Sequence, residues 1–247
     1  MTGTDLVVVR DGVSAGAAAD LAAGIALLRA VAAGERPATL RLYRPEPTLA
    51  FGQRDTRLAG FTSAEAAARL HQFEPLVRRA GGRAAAYHRG CLVIDHVEPQ
   101  TDAVAGSRKR FAGFGELLAS ALRSVGVAAA VGEIPGEYCP GEYSVHGTGD
   151  DGQRVKLVGT AQRVVSGAWL FSSVVVVENS APIREVLTSS YAAMGLDWDP
   201  STAGSANDLV LGISVDDVER AILAAYMRAG YTLKPSEASA ALLPGVS

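Results

Sequence analysis

The run Trp169 to Val177, W-L-F-S-S-V-V-V-V, constrains the chain more than any other stretch. Aromatic and β-branched side chains are restricted in a helix and fit a pleated surface, so the run predicts a strand. Its near-continuous apolar character predicts one buried at the centre of a sheet. Other segments read as its partners. Thr39 to Tyr43 alternates as a strand, Pro45 and Pro47 force an extended turn, and strand character resumes from Leu49 to Phe51. Leu76 to Arg79 reads as a strand, with Ala84 to Tyr87 and Leu92 to Asp95 as a returning pair. Tyr143 to His146 and Arg154 to Val158 flank a Gly- and Asp-rich stretch, Gly147 to Gly152, which predicts a hairpin.

Helical periodicity separates these strands. Ser14 to Ala33 is Ala- and Leu-rich, repeats apolar residues at Leu21, Ile25 and Leu28, and is closed by Gly34 and Pro37. A second helix opens at Ser63 and runs to about His71, and a third, Phe111 to Val125, places Phe111, Phe114, Leu117, Leu118, Ala121 and Leu122 on one face. Ser214, with Asp217 three residues on, predicts a capping box for a helix ending near Gly230. Helices interspersed among strands joined by short turns predict an α+β fold, with a mostly antiparallel or mixed central sheet flanked by helices. We read residues 1–247 as a single domain and residues 235–247 as a loosely ordered tail.

The charge balance narrows the partners. Twenty-three basic and 26 acidic side chains give a net charge of −3 without a basic stripe, which argues against nucleic acid. No run approaches the roughly 18 apolar residues of a membrane span, and Met1 to Arg10 resembles neither a signal nor a transit peptide. A cytoplasmic location is expected. The four histidines and two cysteines show no metal-ligand spacing, so no metal site is expected.

Three segments carry chemistry. In Val77 to Gly90, V-R-R-A-G-G-R-A-A-A-Y-H-R-G, adjacent glycines follow a strand. They read as a tight hairpin, or as a place where backbone N–H groups meet a ligand without a Cβ in the way. Only one of Arg78 and Arg79 can face a given pocket, because successive strand residues point to opposite faces. In Ile134 to Tyr143, I-P-G-E-Y-C-P-G-E-Y, Pro140 biases Cys139 toward extended backbone and a stiff presentation. Lys156 follows in V-K-L-V-G-T-A-Q-R, where alternation would send it to solvent. If it faces a cleft instead, its cation can lower the pKa of a nearby thiol from about 8.5 toward neutrality.

In this order, "LRLYRPEPTLAFGQRD" (Leu40 to Asp55), "VRRAGG" (Val77 to Gly82), "GEYCPGEY" (Gly136 to Tyr143) and "KLVGTAQR" (Lys156 to Arg163) resemble the lipoate-protein ligase, octanoyltransferase and biotin-protein ligase superfamily. The resemblance covers about residues 5–230 and implies the class II biotin synthetase-like fold of a lipoate ligase catalytic domain. The Tyr-Cys-Pro-Gly loop is closest to the cysteine-dependent octanoyl amidotransferases. The ligase pattern His-Asp, then Gly-Asn, is replaced here by Tyr87, His88 and, at the Asn position, Cys91, and Arg83 is bulkier than usual.

The resemblance implies an octanoyl or lipoyl group passing from a thioester carrier to Cys139 and then to a lysine of a lipoyl domain, without ATP. Lys156 is expected to hold the acyl carbonyl and assist proton transfer. Arg78, Gly81, Gly82, Tyr87, His88, Gly159, Thr160 and Ala161 are expected to bind substrate, and Leu49, Phe51 and Val158 to line an apolar tunnel. Expected partners are lipoyl domains of 2-oxoacid dehydrogenases, the glycine-cleavage H protein or acyl carrier protein. The alternatives are an ATP-dependent lipoate-protein ligase and a non-catalytic paralogue that only binds such domains.

Overall fold

The computed structural model describes residues 4–11, 14–101 and 106–236. Residues 237–247, most of the expected loose tail, lie outside them, and Pro235 ends a strand.

The strand that set the frame is β10, Ala168–Val176. It lies inside an eight-stranded sheet, between β6 (Cys91–Pro99) and β9 (Arg154–Val165), antiparallel to both. On the β9 side follow β8 (Val145–Thr148) and β7 (Ala129–Val131), and the Gly147 to Gly152 stretch joins β8 to β9 as a hairpin. Beyond β6 lie β2 (Thr39–Tyr43), β1 (Asp5–Asp11) and β11 (Thr232–Pro235), with β1 parallel to both of its neighbours. The sheet is therefore mixed. A smaller sheet has the order β4-β3-β5, with β3 at Thr48–Phe51, β4 at Glu74–Val77 and β5 at Ala85–Tyr87.

This second sheet revises two readings. Because β3 lies between β4 and β5, the Gly81-Gly82 segment joins strands that do not pair and is not a hairpin. The expected pairing of Ala84–Tyr87 with Leu92–Asp95 is also absent: β5 belongs to the small sheet and β6 to the large one. The sharp turn at His88 to Gly90, where the Cys91 N–H reaches the His88 carbonyl at 2.8 Å, carries the chain from one sheet to the other.

Alternate residues of the large sheet meet different helices, as the two-residue strand period requires. Leu92 and Ile94 of β6, with Trp169 and Phe171 of β10, pack against α3 (Ser107–Ser124) and α6 (Val215–Arg228). Val97 and Leu170 on the other face pack against Leu28 and Val31 of α1 (Ala17–Ala32). The expected capping box opens α6, with Asp217 N–H donating to Ser214 Oγ and Ser214 N–H to Asp217 Oδ2. A separate core joins the small sheet to α2 (Phe61–Leu70) and α4 (Ala181–Met194), while the short α5 (Ala206–Leu209) sits beside β8. Among the described residues no helix is long and apolar enough to cross a membrane.

Candidate active site

A cleft of about 1090 Å³ opens where the α1 face of the large sheet meets the small sheet. Both Cys139 and Lys156 line it.

Lys156 reaches the cleft through a defect in β9. The β8–β9 register steps from His146 opposite Lys156 to Val145 opposite Val158, which leaves Leu157 without a partner. Such a bulge inserts one residue and re-aims the side chains before it. Leu157 joins the α3–α6 core, while the Lys156 stem lies on the side of Gly159, whose added Cβ would sit 3.9 Å from Lys156 Cε. Lys156 is 1% exposed, not the solvated side chain that plain alternation would give.

Its ammonium is fully engaged. Lys156 Nζ donates to Glu137 Oε1 at 2.9 Å, to the Tyr138 carbonyl at 3.0 Å and to the Cys139 carbonyl at 2.8 Å, 5.0 Å from the centre of the Tyr138 ring. An ammonium has three hydrogens, so each has an acceptor. Glu137, buried, also accepts from Ser144 Oγ at 2.6 Å and from the N–H groups of Gly141 and Ile134 at 3.2 and 3.3 Å. This ion pair ties the loop between β7 and β8 to β9. Lys156 thus meets the backbone of Cys139, and the expected contact between ammonium and sulfur is replaced by one between ammonium and carbonyl.

The sulfur faces the glycine turn instead. Cys139 Sγ accepts from the Arg83 N–H at 3.2 Å and from Arg78 Nη2 at 3.4 Å, and Arg78 Nη2 also donates to the Arg83 carbonyl at 2.8 Å. Cys139 has φ +43°, where an extended backbone was expected. A left-handed non-glycine conformation costs on the order of 1–3 kcal/mol and persists where its surroundings enforce it. Here the Cys139 N–H is held by the Tyr191 hydroxyl at 2.9 Å, which itself donates to the Ala84 carbonyl at 2.9 Å.

Glycine at position 82 is what allows this approach. Its φ is +102°, and an added Cβ would lie 2.4 Å from Arg78 Nη2 and 2.8 Å from Cys139 Sγ. The turn is fixed from below by Asp55, fully buried, which accepts from the Gly52 N–H at 2.8 Å and from Arg83 Nη1 at 3.0 Å.

The remaining expected residues separate into two groups. Gly81, Tyr87, Gly159, Thr160 and Ala161 line the cleft with Arg78 and Gly82. His88 does not: its Nε2 contacts the Asn179 carbonyl at 2.8 Å and its Nδ1 accepts the Gly90 N–H, so it shapes the crossing between the sheets. Leu49 and Phe51 are sealed in the small-sheet core and Val158 in the large one. The apolar walls come instead from Leu21 and Ile25 of α1 and from Val93, Leu170 and Val174 of the sheet, with Tyr43, Asp95 and Ser172 adding polar groups. Burial pushes the Asp95 carboxyl up, against the opposing pull of Arg41, whose Nη1 donates to it at 3.1 Å.

The second cysteine differs in kind. Cys91 is wholly buried, and burial pushes its thiol up to about 12, which disfavours the nucleophilic thiolate. Among the described residues no cluster of three or more His, Cys, Asp or Glu side chains is placed to hold a metal ion.

Comparison with known proteins gives the same direction. Over 170 residues, 69% of this chain, it is 31% identical to an octanoyl-GcvH:protein N-octanoyltransferase of Geobacillus kaustophilus, and the match spans 58% of that relative's length. The enzyme of the same name from Exiguobacterium sibiricum is 27% identical over 213 residues, 81% of this chain and 75% of its own. The bipartite lipoate protein ligase of Thermoplasma acidophilum, solved in a study that includes its E2 lipoyl domain, superposes with a TM-score of 0.68. That superposition covers 98% of this chain and 91% of the other at 17% identity, a likeness of fold alone. Residues 17–227 match the lipoyl protein ligase A/B catalytic domain, and the chain belongs to that family.

Proposed function

We propose that the protein is an acyltransferase that moves an octanoyl or lipoyl group from a carrier protein, through a thioester on Cys139, to a lysine amine of a lipoyl domain. The observation that carries this reading is the placement of Cys139 at an apolar-walled cleft, its sulfur met by two hydrogen-bond donors, while the other cysteine is sealed in the core.

In the first half-reaction the Cys139 sulfur bonds to the acyl carbon as the donor's bond to that carbon breaks, and the thiol proton leaves with the departing group. In the second, the acceptor amine forms the C–N bond, Cys139 departs as thiolate, and the amine releases a proton. The overall transfer requires no ATP: with a thioester donor the exchange onto Cys139 is nearly balanced and amide formation is downhill, and with an amide donor the uphill first half is offset by the downhill second. Lys156 and Glu137 hold the loop that presents the nucleophile, and the slot walled by Ile25, Val93 and Val174 accepts the medium-length chain. Donor and acceptor are drawn from H protein, acyl carrier protein and the lipoyl domains of 2-oxoacid dehydrogenases, in the cytoplasm. The names of the relatives favour H protein as one partner.

Intact-mass measurement after incubation with octanoylated H protein tests this. An added octanoyl mass, removable by hydroxylamine and absent in Cys139→Ala, is the expected result. Pyrophosphate release from ATP and lipoate without any acyl-enzyme would replace this reading with a ligase.

A further inference from the structure

We propose that Arg78, and not Lys156, is the catalytic cation facing the Cys139 sulfur as it attacks the acyl carbon and as it departs. The inference rests on the acyltransferase reading and concerns which charge serves the reacting atom. Cys139 Sγ has two donors, the Arg83 N–H and Arg78 Nη2, and the second belongs to a cation. Lys156 has no hydrogen to offer the sulfur, since Glu137 and the carbonyls of Tyr138 and Cys139 take all three.

The surroundings select the same pair. Gly82 leaves open the space in which guanidinium and sulfur meet, and any side chain there would collide with both. Arg78 Nη2 is oriented by the Arg83 carbonyl, and Arg83 is in turn anchored by the buried Asp55. The buried Arg78 Nε has no hydrogen-bond acceptor, so the guanidinium retains donor capacity at the centre of the site.

Chemistry distinguishes the two cations further. Guanidinium remains protonated through the reaction and so acts on the sulfur as a fixed charge, carrying no proton. Held at the sulfur, that charge opposes the negative charge that gathers on the atom when the amine displaces it. An ammonium with a carboxylate at 2.9 Å is already neutralised within its own pair. Arg78 therefore touches the reacting atom, and Lys156 and Glu137 position the backbone that carries it.

Alkylation of Cys139 by iodoacetamide at pH 7 tests this without any acyl substrate, with Cys139→Ala as the blank and circular dichroism confirming the fold. Arg78→Gln is expected to slow alkylation about tenfold and to move its pH profile upward, and Arg78→Lys to restore most of the rate and the profile. A wild-type rate and profile in folded Arg78→Gln overturn the proposal. If Arg78→Gln does not fold, folded Arg78→Lys decides it: alkylation at least as fast as in the urea-unfolded chain supports the proposal, and slower alkylation overturns it. Failure of the wild type to become acylated would remove the proposed function and leave this assignment of the sulfur's cation standing.

Discussion

The Tyr191 hydroxyl accepts the Cys139 N–H at 2.9 Å and passes its own hydrogen to the Ala84 carbonyl at 2.9 Å, so one phenol on α4 joins the Cys139 loop to the glycine turn. Burial pushes this phenol well above its usual range, with the neighbouring Cys139 sulfur adding in the same direction, so it remains the protonated bridge. Tyr191→Phe removes the bridge and leaves a donor and an acceptor without partners, a loss of about 1–3 kcal/mol. Chemical denaturation should show that loss, and steady-state assays should show a larger drop in kcat than in substrate affinity. Unchanged kcat would mean that the phenol only fills space.

Glu137 and Lys156 form a buried pair, their side chains 0% and 2% exposed. Removing one member strands the other charge, which costs about 3–5 kcal/mol. Glu137→Gln should therefore be strongly destabilised in urea melts, and the double variant Glu137→Gln with Lys156→Met should recover most of that loss while remaining poorly active. Simple addition of the two single losses would show that the charges are not coupled.

Gly82→Ala inserts a carbon into the contact between Arg78 and Cys139 and imposes a φ that alanine disfavours. Transfer activity is expected to fall on the order of 100-fold, since displacements of about 1 Å at a reacting centre have such effects. Gly52→Ala acts differently: its Cβ would lie 1.9 Å from the Gly82 carbonyl, a backbone atom that cannot swing aside. A lower melting temperature is the expected readout there. A Gly82→Ala enzyme with full activity would contradict the close fit.

Acid should loosen the fold from the far face of the sheet. His96 is fully buried among Phe114, Trp169, Tyr226 and Tyr231, and burial holds its imidazole below the usual 6.5 despite the opposing effect of Glu98. With the folded value depressed, the unfolded chain takes up the proton first as pH falls. The contribution to stability is complete above about 6.5 and is lost as the pH falls toward the lowered value. Melting temperatures measured from pH 7.5 to 5 should decline through this window, and His96→Phe should flatten that part of the profile. An identical slope in the variant would place the pH sensitivity elsewhere.

Local patterns carried much of this architecture. The β-branched density of Trp169 to Val177, the alternation of Thr39 to Tyr43 and the Ser214 capping box each depend on neighbours along the chain, and each matches an observed element. The sheet assignment of Ala84 to Tyr87 did not follow from such patterns, because a short apolar strand has the same signature in either sheet. Helix α4, which carries Tyr191, and strands β1 and β11 at one end of the large sheet also escaped the reading.

At the site, Cys139 and Lys156 stood out because a Cys-Pro loop and a lysine among valines are unusual locally. Their mutual geometry depended on the Leu157 bulge, which shifts the phase of β9 and is hinted at only by Gly159 within the strand. Asp55, Glu137 and Tyr191 were missed as ordinary polar residues. Only the fold shows that Asp55 and Glu137 are buried and that Tyr191 bridges two segments.

The groups that address Cys139 lie far from it in the chain: the sulfur is met from 56 and 61 residues upstream, and its amide from 52 residues downstream. Its chemical character is consequently a property of the completed molecule. A polypeptide that has not yet docked α4 and the glycine turn carries an ordinary cysteine, so the labelling speed of this one thiol doubles as an internal gauge of whether folding is finished.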